Sequence, residues 1–175
     1  MKNQLAAIKA TIRDVVDFPK EGIIFKDITP LLGNGPLFQQ TITLLSERVK
    51  ASGATKVLGL DARGFIFGAA VADRLGIGFV PVRKAGKLPY DTRAVSYDLE
   101  YGSNTVEMHI DAVDPGEKVA IVDDLLATGG TAQAAVELLS ESGAELVGIY
   151  FLIELGFLGG REKLACDRVE ALIEY

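Results

Sequence analysis

The spacing of apolar residues divides the chain into helical segments separated by breaks. Apolar side chains recur at three- and four-residue intervals, as on one face of a helix, in residues 5–16, 38–49, 65–75 and 131–141. Pro36 stands where proline favours the start of the second helix, and Gly53 and Gly76 follow the ends of the second and third. We therefore predict four amphipathic helices.

Short apolar runs between the later helices predict the strands of a sheet. They occupy residues 57–60, 79–82, 118–122 and 146–153. The last run is long for a strand and short for a helix, so its assignment stays open. Strands that are apolar on both faces and alternate with helices are typical of a parallel sheet covered on each side. We expect an α/β fold with an open, mostly parallel sheet whose ligands bind at the carboxyl ends of the strands.

The segment between the second and third strands has a different character. Residues 83–93 are basic and polar and lack apolar periodicity. Apolar and polar residues then alternate over 95–99 and 106–110, as in half-exposed strands, and residues 101–104 supply a turn. Because a loop of this length within a compact domain usually serves a function, we predict a functional flexible loop and hairpin over about residues 83–110.

Composition narrows the chemistry that the chain can perform. It has 175 residues, which fits one domain over residues 1–175, and 49% of them are hydrophobic. Cys166 is the only cysteine, which excludes an internal disulfide or a cysteine-based zinc site. His109 is the only histidine, which leaves little room for serine–histidine, cysteine–histidine or histidine-cluster metal chemistry.

The charge balance and the chain ends bear on partners and location. The 18 basic and 24 acidic side chains give a net charge of −6, which argues against nucleic-acid binding across the surface but allows a local basic site for a phosphorylated ligand. The sequence has no apolar run of membrane-spanning length and no signal-peptide pattern at its start. We therefore expect an intracellular protein that does not bind a membrane.

The most informative stretch is residues 119–131, where an apolar strand runs into two acids and a glycine-rich turn opens a helix. Backbone N–H groups and the helix dipole favour a phosphate at such a turn, and threonine hydroxyls add donors. The adjacent carboxylates would accept hydrogen bonds from sugar hydroxyls or hold Mg²⁺ through water. The pattern predicts a sugar-phosphate site formed by Asp123, Asp124, Ala127, Thr128, Gly129, Gly130 and Thr131.

A second anion site is predicted at the carboxyl end of the first parallel strand. The residues that follow this strand open a helix, so their amides and an arginine can hold an anion. They are Asp61, Ala62, Arg63 and Gly64. The basic loop adds cations that can close over a diphosphate, namely Arg83, Lys84 and Lys87. These cations would stabilise a leaving group that accumulates negative charge.

Residues 119–131 resemble the phosphoribosyl pyrophosphate (PRPP) signature of the type I phosphoribosyltransferases. Within that family, further stretches are similar to motifs of the adenine phosphoribosyltransferases and occur in the same order: residues 18–30, 59–65, 82–89, 96–102 and 160–164. The resemblance runs from Phe18 to Leu164. It implies the type I phosphoribosyltransferase fold, with a small N-terminal hood over about residues 1–35 that binds the base and a flexible catalytic loop over 83–110.

The resemblance also implies roles for single residues. The purine would stack between Phe25 and Leu125, with the main chain of Ile24 at its edge and Lys26 beside it. The family usually has arginine at the position of Lys26, and lysine keeps the charge but loses the planar fork. Glu100 is the candidate general acid, because a carboxylic acid in a closing loop can transfer a proton when burial raises its pKa.

The implied reaction is transfer of the 5-phosphoribosyl group from PRPP to adenine, giving AMP and diphosphate, in purine salvage. The implied cofactor is Mg²⁺, held mainly by PRPP oxygens and water, with Asp123 and Asp124 acting through water, and the implied assembly is a cytoplasmic homodimer. Two alternatives stay open: a different base, such as another purine, orotate or uracil, and a regulator that senses PRPP without turning it over.

Overall fold

The computed structural model describes residues 2–98 and 103–175, which form two compact units, residues 1–44 and 45–175. Two short antiparallel strands characterise the first unit. Its elements are α1 (Lys2–Thr11), β1 (Arg13–Val16), β2 (Ile24–Asp27), α2 (Thr29–Gly33) and the beginning of α3 (Gly35–Ser52).

The predicted helix over residues 5–16 is wrong in its second half. Helix α1 ends at Thr11, and residues 13–16 form β1 instead. Two ion pairs join this strand to β2, between Arg13 and Asp27 at 2.5 Å and between Lys26 and Asp14 at 2.7 Å. β-Branched residues favour strands, and these cross-strand pairs give the extended form partners that a helix would not provide.

A seven-stranded sheet forms the second unit, in the order β5-β6-β4-β3-β7-β8-β9. The neighbours β4-β3-β7-β8-β9 are parallel, and β5 and β6 form an antiparallel hairpin attached to β4. The elements are β3 (Lys56–Leu60), α4 (Arg63–Leu75), β4 (Gly78–Lys84), β5 (Thr92–Asp98), β6 (Ser103–His109), β7 (Lys118–Leu126), α5 (Gly130–Ser142), β8 (Glu145–Glu154) and β9 (Val169–Glu174), with short 3₁₀ helices at Gly156–Leu158 and Gly160–Lys163. The predicted mostly parallel α/β fold is therefore confirmed.

Helices α4 and α5 cover opposite faces of this sheet. Leu138 and Leu139 of α5 belong to the same buried cluster as Leu58 of β3. Gly68 of α4 lies against Gly59 of β3, since a Cβ on Gly68 would lie 3.4 Å from Gly59 Cα. Gly59 follows Leu58 in the strand, and successive residues of a strand point to opposite faces, so α4 covers the face that α5 leaves open. This arrangement leaves the carboxyl ends of β3 and β7 open beside the first turns of both helices.

Several predicted boundaries shift in the structure. The open run at 146–153 is strand β8, and β9 was not predicted, because its apolar and acidic residues are too few to show a pattern. The expected basic loop is shorter than predicted: β4 extends through Lys84 and β5 begins at Thr92. The predicted turn at 101–104 lies partly outside the described residues, and Ser103 already belongs to β6.

In the described part of the chain, no helix combines the length and apolar character needed to cross a membrane.

Candidate active site

The acidic pair and the glycine-rich turn belong to one continuous segment of the sheet. The sequence pattern predicted a strand that ends at residue 122, with Asp123 and Asp124 following it. Strand β7 instead runs through Leu126, so both acids lie within its last part. Residues 127–129 form the turn, and Gly129, with a φ of 82°, is the N-cap of α5. Because glycine has no side chain to cap the helix, the first N–H groups of α5 are left to bind a ligand.

These residues line one cavity of about 330 Å³ at the carboxyl ends of β3 and β7. The lining comprises residues 60–63 and 123–132, and it brings together eleven of the residues predicted from the sequence: Asp61, Ala62, Arg63, Asp123, Asp124, Leu125, Ala127, Thr128, Gly129, Gly130 and Thr131. The two stretches are far apart along the chain. The cavity exists because β3 and β7 are adjacent parallel strands that end at the same edge of the sheet.

The two carboxylates are held in an environment that disfavours their charge. Asp123 Oδ1 accepts a hydrogen bond from the backbone N–H of Asp124 at 2.8 Å. Burial, reinforced by the Asp124 carboxylate, raises the pKa of Asp123 well above its usual range. The side chain of Asp124 is 6% exposed, and burial raises its pKa too, although Arg63 opposes that shift. Two adjacent acids are thus kept where hydroxyl donors would stabilise them.

Both arginines that were predicted to bind diphosphate form ion pairs with carboxylates of the site. Arg63 Nε lies 2.8 Å from Asp124 Oδ2, and Arg83 Nε donates to Asp61 Oδ2 at 3.1 Å. These ion pairs neutralise part of the negative charge around the cavity. The pattern had predicted the arginines and the acids as separate ligands, and it carried no signal that they would pair with each other.

Arg83 and the two lysines of the predicted diphosphate group lie outside the cavity lining. Arg83 and Lys84 are the last residues of β4, paired with β6, and are therefore not part of a loop. The loop that follows carries Lys87, whose side chain is exposed, and the backbone N–H of Gly86 donates to Glu107 Oε2 at 3.0 Å.

Gly64 is also absent from the cavity lining, but it is buried in the first turn of α4. A Cβ on Gly64 would lie 2.5 Å from Asp123 Oδ1.

The hairpin of β5 and β6 contacts the start of α5 through Tyr97, which is not among the site residues predicted from the sequence. The hydroxyl of Tyr97, on β5, lies 2.9 Å from Thr131 Oγ1. The ring packs against the first residue of α5, since a Cβ on Gly130 would lie 3.1 Å from it. Alternation along β5 predicted only a half-exposed strand position. Glu100, the candidate acid, lies outside the described residues.

The predicted base-binding residues Ile24, Phe25 and Lys26 all lie on β2 of the first unit. Ile24 is 52% exposed, and the ring of Phe25 packs edge-to-face on Phe18 with 5.2 Å between centroids. Lys26 donates to Asp14, as described above. Leu125, the other predicted contact of the base, belongs to the second unit, where it lines the cavity.

The oxygen-rich lining suits a hard cation carried by its ligand. Asp61, Asp123 and Asp124 all line the cavity, and oxygen ligands are those that Mg²⁺ prefers. Two of these three carboxylates form ion pairs with arginines. Among residues 2–98 and 103–175, no three or more His, Cys, Asp or Glu side chains lie close enough together to form a metal site of their own.

Comparisons with known proteins agree with this geometry. The profile of the phosphoribosyl transferase domain family matches residues 29–168. Adenine phosphoribosyltransferase from Solidesulfovibrio magneticus is 56% identical over 95% of this chain and 98% of its own, and the enzyme from Thermobifida fusca is 58% identical over 92% of each. The crystal structure of adenine phosphoribosyltransferase from Rhodothermus marinus superposes with a TM-score of 0.94, at 50% identity and full coverage of both chains. The chain therefore belongs to the phosphoribosyltransferase family, among the adenine phosphoribosyltransferases.

Proposed function

We propose that the protein transfers the 5-phosphoribosyl group of PRPP to adenine, giving AMP and diphosphate in purine salvage. The observation that carries this proposal is the single cavity in which an acidic pair on β7 adjoins the uncapped N-terminus of α5. A sugar phosphate matches both halves of such a site. In support, a related structure from Saccharomyces cerevisiae, 40% identical with a TM-score of 0.92, is a complex with an imino-altritol bisphosphate and adenine.

The 5-phosphate of PRPP would bind at the turn and the first turn of α5. Backbone N–H groups of residues 127–131 and the hydroxyls of Thr128 and Thr131 are the donors there. The ribose hydroxyls would donate to Asp123 and Asp124. Because these hydroxyls would donate to the two carboxylates, Arg63 could leave Asp124 and turn to the diphosphate without leaving that carboxylate unpaired.

The diphosphate would bind at the start of α4, through the amides of residues 61–64, with cations from Arg83 and Lys84 at the end of β4 and from Lys87 in the loop that follows. The cations stabilise the charge that collects on the diphosphate as the bond to ribose C1 breaks. Mg²⁺, the proposed cofactor, would be held by PRPP oxygens and by waters on Asp123 and Asp124, and it supplies further neutralisation of the leaving group. The protein's own part is to orient the reactants and exclude water.

On the family resemblance alone, adenine recognition is proposed for Ile24, Phe25 and Leu125. Phe25 offers an aromatic face and Leu125 an apolar one, and the main chain of Ile24 offers hydrogen bonds to the base edge. Since the amine of Lys26 is held by Asp14 at 2.7 Å, we assign Lys26 the role of fixing β2 beside the base. On the family resemblance alone, we also propose that residues 1–35 act as the hood of one functional domain and that the protein works as a cytoplasmic homodimer.

Glu100 is the proposed general acid, and its replacement has a specific expected result. In Glu100→Gln the side chain keeps its size but cannot release a proton, so kcat should fall by about 10²-fold or more while the KM for PRPP changes little. Steady-state kinetics at saturating adenine measures both. Glu162→Gln, an exposed glutamate of the second 3₁₀ helix, is the control. Full activity in Glu100→Gln would remove the residue from proton transfer.

A panel of bases tests the proposed function directly. The protein is incubated with PRPP, Mg²⁺ and, separately, adenine, hypoxanthine, guanine, orotate or uracil, and the nucleotide is identified by mass. AMP formed from adenine supports the proposal. A nucleotide formed only from another base would reassign the substrate. PRPP binding without any product would favour the ligand-sensing regulator.

A further inference from the structure

The C-terminal motif at residues 160–164 has no role in the site described so far, yet its first residue contacts the phosphate-type turn. A Cβ on Gly160 would lie 2.1 Å from the carbonyl oxygen of Ala127 and 3.0 Å from the backbone nitrogen of Gly129. Conversely, a Cβ on Gly129 would lie 2.5 Å from the carbonyl oxygen of Gly160. The two backbones therefore pack directly on each other, with no side chain between them, which only glycine permits.

Arg161, the residue that follows Gly160, forms an ion pair that holds this part of the chain in place. Arg161 Nε donates to Glu154 Oε1 at 2.9 Å, and a second guanidinium nitrogen donates to Glu154 Oε2. The third nitrogen donates to the backbone oxygen of Val169 at the start of β9. All three nitrogens of the planar fork are thus engaged at once, which sets the orientation of the guanidinium as well as its distance.

The acid partner lies next to the strand that leads into the turn. Glu154 is the last residue of β8, where it pairs in register with Leu126, the last residue of β7. The backbone N–H of Leu155 donates to the oxygen of Leu126 at 2.9 Å. The side chain of Glu154 is only 8% exposed. Its charge is therefore anchored beside the point at which the chain leaves β7 for residues 127–129.

A second contact joins the C-terminal motif to α5. The side-chain oxygen of Gln133 accepts from the backbone N–H of Ala165 at 3.2 Å, and the backbone N–H of Gln133 donates to Gly129 at 2.9 Å. The segment that follows Arg161 therefore contacts α5 close to the helix N-terminus. The turn is supported from both sides, by Gly160 against its backbone and by Ala165 on its helix.

We propose that Arg161 and Glu154 are positioning residues for the 5-phosphate: their ion pair presses the Gly160 backbone against the turn at 127–129 and so sets the direction of its N–H groups. This inference rests on the proposed function. It assigns the C-terminal motif to phosphate binding rather than to general stability. Neither side chain touches the substrate. Their effect is carried by a backbone that a small displacement would misalign with its anion.

The test measures binding of ribose 5-phosphate, which carries the terminal phosphate but no diphosphate, by calorimetry on the whole protein. In Arg161→Gln the dissociation constant should rise by roughly 10- to 100-fold, and in Arg161→Lys by less, because lysine keeps the charge but not the fork. Binding of Mg²⁺-diphosphate should stay near that of the wild type. Lys163→Gln removes an exposed cation from the same 3₁₀ helix and should change neither constant.

Gly160→Ala leaves Arg161 and Glu154 unchanged in sequence, so it tests the contact between the Gly160 backbone and the turn even if the Arg161 variants fail to fold. Its affinity for ribose 5-phosphate should fall at least as far as that of Arg161→Lys. Wild-type affinity in folded Arg161→Gln or in Gly160→Ala would overturn the proposal, as would an equal loss for Mg²⁺-diphosphate or an equal loss in Lys163→Gln. Failure of the proposed function would show separately, as a wild-type protein that forms no AMP.

Discussion

Replacing Asp123 with asparagine is expected to stabilise the free protein while it damages the use of PRPP. Burial raises the pKa of Asp123 well above its usual range. A charge on this carboxylate therefore costs more free energy in the folded state than in the unfolded chain, where water surrounds it. Asparagine keeps the side-chain oxygen that accepts from the backbone N–H of Asp124 and removes the charge. Loss of a charged acceptor for ribose should lower kcat/KM for PRPP by roughly 10- to 100-fold.

The sign of the stability change follows from proton linkage. Below the ordinary value of 3.8, Asp123 is protonated in both the folded and the unfolded state. As the pH rises from there to the raised folded pKa, the unfolded state loses its proton first, so stability of the wild type falls across this window and stays lower above it. Each unit of elevation is worth about 1.4 kcal/mol. Asp123→Asn lacks this fall and should therefore melt at a higher temperature at neutral pH.

Thermal unfolding at acidic and neutral pH, paired with PRPP kinetics, checks both halves of this result. Asp73→Asn, an exposed acid of α4, has the same change in charge and should behave as the wild type in both assays. A variant at Asp123 that melts lower at neutral pH, or that retains wild-type kcat/KM, would contradict the assignment of this carboxylate.

Gly64→Ala is expected to abolish most PRPP use although alanine is the better helix former. Gly64 lies in the first turn of α4, where alanine favours the helix by about 1 kcal/mol over glycine. Its Cβ, however, would lie 2.5 Å from Asp123 Oδ1 and 3.3 Å from the oxygen of Val122. The carboxylate must move, and a displacement of this order in a positioned ligand should reduce kcat/KM by about 10²-fold.

Circular dichroism and PRPP kinetics measure this effect, and two further variants test its cause. Gly33→Ala has nothing within 4 Å of the new Cβ and should be fully active. In an Asp123→Asn background, Gly64→Ala should cost much less than in the wild type, because the group that it displaces is already impaired. Equal costs in the two backgrounds would place the damage of Gly64→Ala elsewhere.

The parts of the fold that sequence alone predicted rest on local interactions. The strand–turn–helix at residues 118–142 is continuous in the chain, so its apolar run, its two acids and its glycines report one structural unit directly. The same holds for Gly76, which ends α4 in the left-handed conformation. Where a partner strand decides the outcome, the pattern misleads: residues 13–16 continue a helical stripe but pair with β2 instead.

The alternation of strands and helices, the acidic pair and the glycine turn were predictable from the amino-acid sequence, because neighbouring residues carry those signals. Three contacts became visible only in the folded chain: Arg63 with Asp124, Arg83 with Asp61, and Gly160 with the turn. Each of these contacts joins segments that are distant along the chain. Their geometry follows from which strands are adjacent in the sheet and how closely the backbones pack, and the residue pattern of any one segment contains neither.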